Sequence, residues 1–169
     1  TITLTQANDF TGAVSLSNTG ANDVSITDSN ALDLGTVDVG QNLTITTGGT
    51  LSDSATVSVP GLATIVATGQ TVILGDSTTA NFGSLDFAGA AVTITEDSAM
   101  EIAASEATGA LSLTASGAIT QTGAIDADGT SSFSAGANTI TLTQANDFTG
   151  AVSLSNTGAN DVSITDSNA

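Results

Sequence analysis

Apolar residues alternate with Ser, Thr or Asp along the whole chain. Val14-x-Leu16, Leu43-x-Ile45, Val92-x-Ile94 and Leu111-x-Leu113 form one set; Val24-x-Ile26, Met100-x-Ile102 and Ile140-x-Leu142 form a second. A third comprises Leu32-x-Leu34, Val57-x-Val59 and Ile125-x-Ala127. A period of two is the strand signal, with one face of each strand turned to a core. Gly, Asn and Asp separate the runs, as corners require, and Pro60 precedes Gly61 at one of them. No stretch has a helical period. The pattern predicts an all-β fold of short strands and tight corners.

Self-similarity orders these strands. The segment from Thr1 to Ala31 recurs letter for letter from Thr139 to Ala169. Residues 1–138 are thus expected to be one full tandem unit, and 139–169 the start of the next, in a window of a longer array. A finer period lies inside the unit. Asn42–Gly61 aligns without a gap on Ala110–Gly129, and Ala90–Gly109 and Ser131–Gly150 have the same length. Ala13–Gly35 and Leu62–Gly83 are slightly longer versions of the same piece. Two much shorter pieces, Thr36–Gln41 and Ser84–Gly89, remain as insertions.

About 20 to 23 residues with three short strands and three corners is one coil of a parallel β-helix, or β-solenoid. Strands this short need the coils above and below for their hydrogen bonds and their core. On that basis the unit holds about six to seven coils. An immunoglobulin-like sandwich is the all-β rival, but it wants longer strands and leaves the short sub-period unexplained.

Composition narrows the chemistry. The 169 residues include 17 acids and no Lys, Arg, His or Cys, giving a net charge of −17. Without Cys or His there is no thiol nucleophile, zinc or haem site, catalytic triad or histidine switch. Without Lys or Arg there is no conventional phosphate clamp, and the charge repels nucleic acid. Hydrophobic residues at 40% suffice for a core, but aromatics at 3% make it thin and aliphatic. Phe10, Phe82, Phe87, Phe133 and Phe148 are expected to plug its wider parts; exposed in rows, they would instead join fibres laterally. A mean hydropathy of +0.28 argues against disorder.

The run AVSLSNTGANDVSITDSNALDLGTVDVGQNLTITTGGTLSDS, with ALSLTASGAITQTGAIDADG, resembles the filamentous-haemagglutinin-like repeat regions of giant bacterial surface proteins and adhesins. The resemblance covers essentially the whole chain. It implies a right-handed parallel β-helix, secreted and displayed at the bacterial cell surface as a long fibre. It transfers no catalytic, cofactor or metal residue.

The acids allow two readings. Over a unit of about 29 to 34 Å they approach one negative charge per ~2 Å, close to duplex DNA. Divalent cations such as calcium, weakly bound, would then bridge or rigidify fibres. Alternatively the charge keeps a β-rich polymer soluble and blocks edge-to-edge pairing, which is the favoured reading. Asp126 and Asp128 share a strand face that suits calcium, but they equally flank a solvated corner at Gly129, and Glu96-Asp97 reads as another corner.

The expected function is therefore a non-catalytic extracellular fibre or adhesin stalk needing no cofactor. Its partners would be neighbouring repeats and other copies of the fibre, with no nucleic acid and no membrane insertion in this segment. Ice binding is the rival, on the outward pairs Thr44/Thr46, Thr93/Thr95 and Thr141/Thr143. That ladder is interrupted by Ser15/Ser17, Thr64/Val66 and Ser112/Thr114, and Thr is an ordinary exposed strand residue. A polysaccharide-active β-helix enzyme is a weaker rival, because no cation is present to stabilise developing negative charge.

Overall fold

The computed structural model describes residues 1–168. Nineteen strands, and no helix among the described residues, wind into a β-solenoid of about 8 turns. Every strand pairing is parallel, which excludes the antiparallel sandwich.

Each coil has three sides, and the stacked sides form three faces. Face I carries Ile2–Asn8, Val24–Asp28 and Leu43–Thr47, then the second halves of Val57–Ala67 and Ala80–Gly89. It continues through Ser105–Ala107 and Ile125–Ala127 to the end of Ile140–Phe148. Face II runs from the start of Leu32–Asp38 through Leu51–Asp53, Val72–Leu74, Val92–Glu96, Leu111–Ala115 and Ser131–Ser134 to Val152–Ser155. Face III joins Val14–Ser17 to the end of Leu32–Asp38 and the first halves of Val57–Ala67 and Ala80–Gly89. Met100–Ile102, whose Ile102 is the register partner of Leu85, instead continues the column of Ile2 through Ile119–Gln121 and the start of Ile140–Phe148 to Val162–Asp166.

The alternation read from the sequence becomes columns of inward side chains. On face I, Ile2, Val24, Leu43, Ala63 and Leu85 are register partners, with Leu4, Ile26, Ile45, Ile65 and Phe87 beside them. Face II shows the accompanying hydrogen bonds most regularly. Leu32 N–H donates to Thr50 O, Leu51 to Thr71, Val72 to Ala91, Val92 to Ala110, Leu111 to Thr130 and Ser131 to Ala151, all at 2.8–2.9 Å. Fully burying each aliphatic side chain is worth about 1.5–3 kcal/mol, so neighbouring coils supply core and ladder together.

Four of the five phenylalanines plug this core as expected, and Phe10 is partly buried. Phe133 and Phe148 meet edge to face, with ring centroids 5.8 Å apart. Corners stack as closely as sides do. A Cβ on Gly129 would collide with the Gly109 carbonyl, and one on Gly150 with that of Gly129, so this corner column admits only glycine.

The two short insertions are not loops on the coil. Thr36–Asp38 completes Leu32–Asp38 and forms a side of face III, whereas Ser84–Gly89 forms a side of face I. Segments aligned by sequence consequently sit on different faces: Leu43-x-Ile45 on face I, its counterpart Leu111-x-Leu113 on face II.

Candidate functional surface

The outward positions form hydroxyl rows. On face I, Thr3, Ser25, Thr44 and Thr64 are in register, with Thr27 and Thr46 alongside, and the row passes to acid at Asp86. On face II the row is Thr93, Ser112, Ser132 and Ser153, flanked by Thr95, Thr114, Ser134 and Ser155. Thr44/Thr46 therefore lie on face I and Thr93/Thr95 on face II. The pairs do not share one flat ladder.

Carboxylates collect on the upper part of face I. Glu106, Asp126 and Asp147 are register partners on successive coils, and all three are exposed. An open groove of about 370 Å³ beside them is lined by Asp86, Phe87, Ser105, Glu106 and Asp126. Partial burial there raises the Asp86 carboxyl above its ordinary range. Asp128 is exposed at the corner before Gly129. Among the described residues, no group of three or more acids is arranged to hold a metal ion.

Polar side chains inside the core are the less expected feature. Asp28 and Glu96 are buried and their equivalent Asp166 is exposed; each ends a strand, and each accepts a hydrogen bond from the backbone of a phenylalanine in the preceding coil. Phe10 N–H donates to Asp28 Oδ2 at 3.4 Å, Phe82 to Glu96 Oε1 at 2.8 Å and Phe148 to Asp166 Oδ1 at 3.2 Å. A side chain thus supplies a rung where the backbone ladder is interrupted.

Glu96 is the extreme case. The residue is 1% exposed rather than a solvated corner acid, and its Oε2 has no hydrogen-bond partner. Burial pushes the carboxyl up to about 7, against the lowering effect of the bonds from Phe82 N–H and the Ser98 hydroxyl. Its neighbour Asp97 is exposed and accepts from Asn81 Nδ2 at 3.1 Å.

Two more buried polar positions interrupt aliphatic columns. Asp53 accepts from Gly75 N–H at 2.9 Å and from the Thr78 hydroxyl; Gly75 makes the turn at a φ of 69°. Gln121 and Asn146 bond each other through both amides, and Asn146 Oδ1 also takes Ile125 N–H at 2.9 Å. A signal for these sites exists in the sequence. The step from Asp28 to Glu96 equals that from Asp53 to Gln121, and both equal the step from Asn42 to Ala110 in the gapless alignment. Asp53 and Gln121 fall inside that alignment, and extending it outward pairs Asp28 with Glu96.

Carboxylates thus occur both in an exposed row at Glu106, Asp126 and Asp147 and as buried rungs at Asp28 and Glu96. A family model described as repeats of unknown function (DUF5649) matches the chain twice, over residues 21–87 and 89–155. No curated protein and no solved structure matches it significantly.

Proposed function

For a chain that belongs to the family of repeats of unknown function DUF5649, we propose the role of a structural rod: a non-catalytic segment of an extracellular fibre or adhesin stalk at a bacterial surface. One observation carries the reading. Val24 and Ile26 are 0% and 1% exposed beneath the coil that follows them, whereas the same residues of the second copy, Val162 and Ile164, are each 40% exposed. Each coil is sealed by its neighbours, and stacking converts sequence length directly into axial length. The absence of Lys and Arg leaves the surface uniformly acidic, which favours solubility and separation of neighbouring rods. Divalent cations would then modulate spacing without being needed for folding.

The test is electron microscopy of arrays with two, four and eight copies of the tandem unit. Each added unit should lengthen the particle by about 34 Å at constant width, taking about seven coils at ~4.8 Å each. Compact particles whose diameter grows with mass would overturn the proposal. Distribution of the threonine pairs over more than one face disfavours ice binding, so the same arrays should show no thermal hysteresis.

A further inference from the structure

We infer that Gln121–Asn146 and Asp53–Thr78 are register keys: polar pairs, one in each family repeat, that fix the position in which one coil seats on the next. The strand pattern itself creates the need. Alternation with a period of two survives any slip of two residues, so aliphatic columns do not choose between such registers. A slip of that size has a place in the structure. Leu142 pairs with Ile164 but Asn146 with Asp166, so the lower strand takes up two extra residues in a bulge between Leu142 and Asn146. The identical segment repeats the bulge, with Leu4 paired to Ile26 and Asn8 to Asp28.

The key in the second repeat closes this bulge. Asn146 is 0% exposed. Its Nδ2 donates back across the bulge to Leu142 O at 3.1 Å and to Thr165 O on the next coil at 2.9 Å. Gln121, on the coil beneath, accepts through Oε1 from Gln144 N–H inside the bulge at 3.2 Å and from Asn146 Nδ2 at 3.0 Å. Its Nε2 donates to Asn146 Oδ1 and to Gly123 O, both at 2.7 Å. Three coils are tied at one point, and each polar atom of both side chains has a partner. Ahead of the bulge a single register pair, Ile119 with Ile140, joins the two strands. A slip of two residues would leave the columns apolar but separate Gln121 from Gln144 and Asn146, stranding buried donors and acceptors.

The gapless alignment, carried on to residue 146, places Asp53 on Gln121 and Thr78 on Asn146. The key in the first repeat is a carboxylate, which only accepts, from Gly75 N–H and the Thr78 hydroxyl; the second is a pair of amides that donate and accept. They are not interchangeable. An Asp at position 121 has no hydrogen to give to Asn146 Oδ1 or Gly123 O. Each family match, 21–87 and 89–155, contains one whole key. Asn146 is the second copy of Asn8, so Gln121–Asn146 spans the boundary between tandem units, whereas Asp53–Thr78 lies within one. On the reading of the chain as part of a rod, the two keys alternate along it and hold the repeats in order as well as in register.

Disulfide cross-linking of the 169-residue chain tests the keys independently of whether arrays form rods. Thr120, Thr141 and Thr143 are exposed, and the chain contains no cysteine. Thr120→Cys with Thr141→Cys reports the native register, since these positions follow the paired Ile119 and Ile140. Thr120→Cys with Thr143→Cys lies on a diagonal of ~8 Å, out of disulfide reach, and reports a slip of two residues. After refolding and mild oxidation, the native pair should cross-link and the diagonal pair should not. Gln121→Met keeps the length of the side chain but removes its hydrogen bonds, and should raise the diagonal cross-link at least tenfold. The native cross-link alone, at undiminished yield, would overturn the inference. Loss of the β signal in circular dichroism would overturn it too, because the pair would then hold the fold rather than select a register. Gln121→Met combined with Asn146→Leu removes both polar groups and gives a second reading: the diagonal cross-link is expected again, and a return to the native one alone is the contrary result. Either contrary result leaves the rod itself to be decided by microscopy of arrays.

Discussion

Thr1–Ala31 and Thr139–Ala169 are the same sequence in two settings, and they differ in what is buried. Leu4 is 37% exposed, whereas Leu142 is fully buried on the coil containing Ile119–Gln121. At the other end of the segment the order reverses: Ile26 is buried under Leu43–Thr47, and Ile164 is 40% exposed. The strand pattern is the same, so strand formation follows from the sequence, while burial follows from the adjacent coil. A solenoid coil has no core of its own; it has half of two.

The largest expected effect uses one substitution in both settings. Val24→Asp places an unpaired charge in a sealed column and should destabilise the chain by about 3–5 kcal/mol in chemical denaturation. Val162→Asp, at the exposed counterpart, should cost less than about 1 kcal/mol. Equal effects would break the comparison. Phe148→Ala should cost about 3–5 kcal/mol, since Phe148 is 3% exposed and packs on Phe133. Phe10→Ala should cost clearly less in the same measurement, because Phe10 is only partly buried.

Glu96 sharpens the comparison through pH. Its carboxyl is raised from 4.5 to about 7, so between those values the folded state holds a proton that the unfolded state has released. Its stabilising contribution is complete below about pH 4.5 and is lost as pH rises through 7, a loss of roughly 3 kcal/mol. The melting temperature should therefore fall from pH 5 to pH 8, and Glu96→Gln should remove most of that slope. A slope unchanged in Glu96→Gln would assign the dependence to other acids. The smallest effect is expected at the surface: Thr44→Ala should shift stability by no more than about 0.5 kcal/mol.

The resemblance to adhesin repeats and the family match both concern repetition, and repetition is legible from Thr1–Ala31 and its second copy alone. The buried polar rungs are less so. Glu96-Asp97 reads as a pair of corner acids, and only the coil beneath, with the otherwise unpaired N–H of Phe82, draws one carboxylate inward while Asp97 stays outside. Likewise Asp53 sits on the inward side of its strand, where alternation alone would place an aliphatic residue.

By itself the sequence determined the strands, their short length, the coil size and the exclusion of most side-chain chemistry. Those properties are local: alternation, turn residues and composition act within one coil. The tertiary structure decided which coil seals which, where the carboxylates become rungs, and that segments aligned by sequence sit on different faces. These depend on contacts between positions a full coil apart. A short segment that looks like an insertion in the linear pattern becomes a whole side once the stack above and below pairs with it.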